Sequence, residues 1–276
     1  MIQLKSEEFS HFRAYLREIA GIDLGEDKQY LVATRLRRIL EEAKIDDIAS
    51  LLIEIKQTYN RQLRQKVIDA MTTNETFWFR DVYPFEYLAN HLLSGLAKKN
   101  GAARTRIWSA ACSSGQEPYS ISIMIDEFVR SKFGMSSFPV EIIATDLSSA
   151  ILDSAKNGLY DRLSIVRGLS ERRLKEYFNP VGDNTWQVKP NILERVQFKP
   201  LNLQDSYLML GKFDVVFCRN VLIYFSAELK RDILSRIRGS LKPGGYLVLG
   251  SSESIGTASV HFEMIHCNPG VIYRAI

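Results

Sequence analysis

Residues 72–81 read Thr-Thr-Asn-Glu-Thr-Phe-Trp-Phe-Arg-Asp. Short hydrogen-bonding side chains, three consecutive aromatics and an arginine share one short stretch. That mixture suits a loop that grips a polar ligand against an aromatic wall. The plainer reading is an amphipathic connector whose aromatics fill a core. Further polar positions follow downstream, each just after an apolar run: Glu117, Asp146, Asn202 with Leu203, and Arg219 with Asn220.

The chemistry of these positions can be read one by one. Glu117 stands behind the small-residue turn Cys112-Ser-Ser-Gly-Gln116. A helix N-terminus there favours a negative group, while the Glu117 carboxylate favours a cation, so a ligand with both an amine and a carboxylate uses the two together. An acid at the position of Asp146 takes ribose hydroxyls in nucleotide-type sheets. The Asn202 amide can read an adenine edge. Each residue also has a modest alternative: Asp146 as a helix cap, Asn202 as a turn residue, Arg219 paired with a surface acid. All of them being modest at once is harder to sustain. The turn is not GxGxxG, which disfavours a dinucleotide pyrophosphate. Ribose, adenine and amino-acid functions together describe S-adenosylmethionine better than NAD.

The elements that must hold these residues fall into two styles. Up to residue 70 the pattern is helical only. Phe9, Phe12, Leu16 and Ile19 mark an amphipathic helix with Ser6 as N-cap and Gly21 as its end. Asp27 is expected to cap a second helix running to about Ala43, and Asp47 or Ser50 and Asn60 to open two more. A further helix is expected near 84–97. From Arg104 the period changes. Strand-like runs at Arg106–Ala111, Val140–Thr145, Val196–Leu203, Phe213–Cys218 and Tyr246–Leu249 alternate with helices, which implies a mostly parallel sheet covered on both faces. Two short runs near the end, Phe262–Cys267 and Gly270–Arg274, read as an antiparallel pair. Residues 160–195 exceed what a crossover needs and read as an insertion with a helix and a hairpin.

Composition narrows the class. An apolar share of 46% and a charged share of 25% are those of an ordinary globular protein. No window reaches the roughly 18 apolar residues of a membrane helix, and the N-terminus has no signal-peptide architecture. Cys112, Cys218 and Cys267 form no CxxC pair, and the four histidines are scattered, so neither a disulfide framework nor a metal site is expected. A cytoplasmic protein is the natural reading. The net charge of +4 is too small to argue for nucleic acid.

Four blocks occur in one order: Thr72–Arg80; Trp108-Ser-Ala-Ala-Cys-Ser-Ser-Gly-Gln-Glu-Pro-Tyr-Ser120; Ala144-Thr-Asp146; and Phe217-Cys-Arg-Asn-Val-Leu-Ile-Tyr-Phe225. Together they resemble the chemotaxis receptor glutamate methyltransferases, the CheR family, from about residue 5 to the end. The turn Lys242-Pro-Gly-Gly245 also resembles the one before the fifth strand of many class I methyltransferases. The resemblance implies an α/β protein: an all-helical N-terminal domain at 1–71, a linker and cofactor-contacting segment at 72–100, and a class I (Rossmann-like) methyltransferase domain at 101–276. A small antiparallel β-subdomain is inserted at 160–195. It further implies S-adenosylmethionine as cofactor, with S-adenosylhomocysteine as product. The implied contacts are Asn74, Thr76, Arg80, Glu117, Asp146, Asn202, Leu203, Arg219 and Asn220. The implied substrate is glutamate on the cytoplasmic helical bundle of chemoreceptors.

Two features of this sequence qualify that picture. Cys112 reads as a small apolar filler, not a nucleophile. The hairpin Asn179–Val188 is short and lacks a Gly-x-Gly turn, whereas some relatives grip a receptor's C-terminal pentapeptide there, so a tether-independent enzyme is expected. Nothing demands more than a monomer.

For the reaction, Arg80 and Tyr224 are the candidates: Arg80 to hold the cofactor's carboxylate or orient the substrate, Tyr224 to line the transfer site unless it is a core tyrosine. The positive helix face of Arg35, Arg37 and Arg38 is the candidate receptor contact, against the reading of a solvated face balanced by Glu41 and Glu42. Two other functions stay open on the residues alone. One is a non-catalytic module that senses the cofactor or its product and docks on receptors. The other is a small-molecule or RNA methyltransferase of the same fold.

Overall fold

The structure is a computed structural model that describes residues 4–132 and 138–276. Four helices open the chain: α1 (Ser6–Ala20), α2 (Gln29–Ala43), α3 (Ile48–Lys56) and α4 (Arg61–Met71). Their apolar stripes bury Phe12, Leu16, Leu36, Leu51, Ile55 and Val67 in one core. Capping differs from expectation at three ends. Lys5, not Ser6, occupies the cap position of α1, and Ser6 is its first helical residue. Asp27 lies in a short 3₁₀ turn before α2 and pairs with Lys28 instead of capping. Asn60 holds the cap position of α4, but its amide reaches back to Glu54. Asp47 caps α3 as expected, accepting the Ser50 N–H at 2.7 Å. Gly21 ends α1 at φ +72°, and a Cβ there would meet Leu229 at 2.6 Å. The end of α1 is therefore pressed against the second half of the chain.

Next comes one helical run, α5 (Tyr83–Tyr87), a π turn at Leu88–Leu92 and α6 (Leu93–Asn100). Read from sequence as part of a linker, it packs instead into the core of the sheet through Phe85, Leu88, Leu92 and Leu93.

The remaining elements are β1 (Thr105–Ala110), α7 (Gln116–Ser131), β2 (Val140–Asp146), α8 (Ser149–Asn157), β3 (Leu159–Asp161), α9 (Arg162–Val166) and α10 (Glu171–Tyr177). They continue with β4 (Phe178–Gly182), β5 (Thr185–Val188), α11 (Pro190–Leu193), β6 (Val196–Pro200), β7 (Phe213–Cys218), α12 (Ala227–Ser240), β8 (Leu241–Leu249), β9 (Phe262–Cys267) and β10 (Gly270–Ala275). The main sheet has the order β6-β2-β1-β7-β8-β10-β9. Its first five strands are parallel, and β10 runs antiparallel to both neighbours. Side chains alternate between two buried faces, as a sheet covered on both sides requires. Ile107, Val215 and Phe217 face one core; Trp108, Val216 and Cys218 face the other, against Ile233 and Ile237 of α12. β3, β5 and β4 form a separate three-stranded antiparallel sheet at the expected insertion, beginning one residue before its expected start.

Two strand bounds moved. β6 stops at Pro200, leaving Asn202 and Leu203 in the following loop. β8 begins at Leu241, so the Pro-Gly-Gly segment lies inside the strand, where its pairing with β7 shifts register. The order reverses on either side of β1, the place where open α/β sheets hold ligands beyond their carboxyl ends.

Candidate active site

A cavity of about 270 Å³ opens there. Its floor comes from the ends of β1, β2, β6 and β7. One wall is the Met71–Arg80 segment, and the cover is Ala20–Leu31 of the helical domain. The sequence-predicted contacts Asn74, Thr76, Arg80, Glu117, Asp146, Asn202, Leu203, Arg219 and Asn220 all line it, as do Tyr224 and Arg35. Arg37 and Arg38 do not; both side chains are exposed on α2.

The turn after β1 is built under constraint. Ala111, Ser113 and Gly115 all take positive φ, which is costly for the two that are not glycine. Side chains from elsewhere hold it in place. The Ser113 N–H donates to Asp146 Oδ2 at 2.8 Å, and its hydroxyl donates to the Asn74 carbonyl at 3.0 Å. Tyr160 of the inserted sheet donates its hydroxyl to the Ser114 carbonyl at 2.6 Å. Beside the turn, Cys112 is buried against Ala144 and Leu152, and burial pushes its thiol pKa well up, which suits a filler and not a nucleophile.

Glu117 lies in the first turn of α7. Its carboxylate accepts the Ser109 hydroxyl at 2.7 Å and Arg219 Nη1 at 3.1 Å. Burial pushes its pKa up from the usual carboxylate value, with the Arg219 charge and the Ser109 hydrogen bond opposing. Arg219 is deeply buried and already engaged: Nη2 donates to Asp81 Oδ2 and to the Arg80 carbonyl, both at 2.7 Å. Its Nε is buried with no partner among the described residues. The expectation that Arg219 contacts the cofactor therefore changes character. Three of its five N–H donors serve as a strut joining β7, α7 and the Arg80–Asp81 turn.

Asp146 accepts the Ser113 N–H on one oxygen and the Ser148 N–H at 3.0 Å on the other. Burial pushes its pKa up, and these amide bonds oppose that. Each oxygen keeps a lone pair for a hydroxyl donor. Asn202 departs from expectation. Its amide donates to the Ile19 carbonyl at 2.8 Å and its oxygen accepts the Gln204 N–H at 3.0 Å. That side chain staples the helical domain to the sheet, which commits one amide N–H and leaves one oxygen lone pair facing other partners. The neighbouring Leu203 also lines the cavity.

Arg80 is half-buried, with Nη1 on the Glu75 carbonyl at 3.1 Å and its guanidinium over the Phe77 ring. Trp78 and Phe79 turn inward and are core residues, so the aromatic triplet divides between core and cavity. Tyr224 is half-buried at the cavity wall and not a core tyrosine; its carbonyl accepts the Asp23 N–H at 2.8 Å. Arg35 is not a free surface cation. It donates to the carbonyls of Met71 and Thr72 and to the Thr73 hydroxyl, satisfying the end of α4. Arg38 pairs with Glu42 at 2.7 Å.

Sequence reasoning missed two contributors. Asp81, the partner of Arg219, carried a signal only as the residue next to Arg80. The Ile22–Lys28 loop gave none, because its place depends on a single β-bridge between Ile22 and Phe225.

Residues 74–271 match the family model described as CheR methyltransferase, SAM binding domain, and residues 7–72 match CheR methyltransferase, all-alpha domain. The chain is 56% identical over 268 residues to chemotaxis protein methyltransferase 1 of Pseudomonas aeruginosa, covering 97% of each. It is 54% identical over 268 residues to chemotaxis protein methyltransferase Cher2 of Pseudomonas putida, covering 97% of this chain and 98% of that one. With the chemotaxis protein methyltransferase of Vibrio anguillarum it shares 47% identity over 273 residues, 99% of this chain and 98% of the other.

Proposed function

The chain belongs to the CheR methyltransferase family, whose members use S-adenosylmethionine, and on that premise we propose that it forms methyl esters on glutamate side chains of chemoreceptor cytoplasmic helices. The observation that carries this reading is the composition of the cavity wall. A buried glutamate, a buried aspartate and Arg219 sit at the strand ends, Arg35 and Arg80 join them on the wall, and no histidine is among the lining residues. A glutamate carboxylate is already ionised at neutral pH and needs no general base to attack.

The residues present fit the cofactor. Glu117 offers a buried carboxylate to a cationic amine. The guanidinium of Arg80 offers donors to a carboxylate, and the buried Arg219 backs Glu117 from behind. Asp146 has lone pairs for ribose hydroxyls, and Asn202 and Leu203 line the part of the wall where the base would lie. When bound, the cofactor supplies an electrophilic methyl group on a sulfonium. The protein's own part is alignment and water exclusion around an incoming carboxylate. Tyr224 stands at the wall where that carboxylate would enter. Arg80 is held back by Glu75 and Phe77, so it orients without clamping; a tight cation would lower the nucleophilicity of the carboxylate.

The β4–β5 connection is only Asp183-Asn184, which supports a tether-independent enzyme. Among the described residues no helix is long and apolar enough to cross a membrane. Site-resolved mass spectrometry of a receptor signalling domain incubated with enzyme and cofactor tests the reading. Methyl groups on glutamate are expected; methyl groups confined to lysine, arginine or a terminal amine would sink it.

A further inference from the structure

Glu253 lies outside the cavity lining, in the turn Gly250-Ser-Ser-Glu253 after β8. Its half-buried carboxylate accepts three backbone N–H groups. Oε2 takes those of Asn220 at 2.6 Å and Gly250 at 2.9 Å; Oε1 takes that of Leu222 at 2.8 Å. Its own N–H closes the turn onto the Gly250 carbonyl at 2.9 Å. Three amides from the ends of two neighbouring strands thus converge on one charge. Such bonds are stronger than neutral ones.

The loop held in this way matters. Asn220 sits at φ +57°, a conformation that a residue with a Cβ keeps only when its surroundings impose it. The same loop supplies Arg219, Asn220, Val221, Ile223, Tyr224 and Phe225 to the cavity wall. Space around the clamp is closed: a Cβ at Gly250 would lie 2.8 Å from both Asn220 Nδ2 and Glu253 Oε2.

We propose that Glu253 is a positioning residue: it fixes the loop after β7 so that Asn220 and Tyr224 face the cofactor in their working geometry. The proposal rests on the reading of Asn220 and Tyr224 given above. A turn residue of merely structural importance would change stability and leave turnover of folded enzyme alone. Glu253 acts on turnover and on cofactor affinity together.

Glu253→Gln keeps the size but turns an amide NH₂ toward backbone donors. Glu253→Asp keeps the charge and withdraws it by one methylene, and serves if the first variant does not fold. Three quantities are measured on the full chain: amide hydrogen exchange at Asn220, Leu222 and Gly250, the dissociation constant of S-adenosylhomocysteine, and methyl transfer at saturating cofactor. The expected result is faster exchange at those amides, with affinity and turnover each lower by about tenfold in folded protein. Unchanged exchange overturns the clamp. Faster exchange with affinity and turnover unchanged overturns its positioning role. Asn220→Ala, measured beside them, separates the premise from the proposal: unchanged affinity there overturns the role of Asn220, whereas unchanged affinity in the Glu253 variants alone overturns that of Glu253.

Discussion

Arg219 and Glu117 stand 102 residues apart in the chain and meet at 3.1 Å in the cavity wall. The pair is buried, and its geometry is completed by Asp81 and the Arg80 carbonyl. A buried pair of this kind is weak evidence for stability as such, but removing one partner leaves the other charged and alone. Arg219→Met should therefore cost roughly 3 kcal/mol in denaturant unfolding, and abolish binding of S-adenosylhomocysteine. A variant of wild-type stability and affinity would show that the strut is dispensable.

Arg80 and Tyr224 should separate in kinetics. Arg80→Ala is expected to raise the cofactor dissociation constant roughly tenfold, because its guanidinium is placed for the ligand's carboxylate and not for the core. Tyr224→Phe is expected to lower turnover with little change in cofactor affinity. Calorimetry and single-turnover transfer on the same preparations check both. Unchanged affinity in Arg80→Ala removes its assignment.

Burial raises the carboxyl pKa of Glu117 above its ordinary 4.5 and that of Asp146 above 3.8. A folded-state pKa above the unfolded one favours the folded chain while the group is protonated. That contribution is fully present below the unfolded pKa and disappears as pH rises through the folded one. Acidification therefore does not destabilise the ligand-free fold through these two groups. Ligand binding runs the other way, since Glu117 must be ionised to hold an amine. Affinity for S-adenosylhomocysteine should fall on acidification, and Glu117→Gln should bind weakly and lose the part of that fall that Glu117 supplies. A wild-type profile retained in that variant would contradict the assignment.

The cations of α2 divide by role. Arg37→Glu with Arg38→Glu should reduce methylation of an acidic receptor region, most at low salt, and leave cofactor affinity unchanged. Arg35→Glu should also weaken cofactor binding, because Arg35 holds the Met71–Thr73 end of the cavity wall. Equal effects of all three on cofactor affinity would refute this division.

The strand ends were legible because the near-continuous apolar runs give way to polar residues, and a doubly wound sheet gathers such ends in one place. The destinations of individual side chains were not. Asn202 looked free for a base edge; its amide is taken by Ile19, 183 residues earlier. Arg35 looked like a surface cation; it answers the orphan carbonyls at the end of α4, whose position no local pattern reveals. Helix caps at Ser6 and Asp27 were each misplaced by one residue, because a helix end shifts by a residue with little change in local pattern. The Phe85–Leu93 stripe showed an apolar face without showing that the sheet would cover it.

Transfer of label from methyl-labelled S-adenosylmethionine to a purified chemoreceptor signalling domain, followed by mild alkali, tests the central claim most directly. The account predicts label on the receptor that base releases as methanol, the behaviour of a carboxyl methyl ester. Label that survives alkali, or cofactor binding with no receptor labelled across a panel, would contradict it.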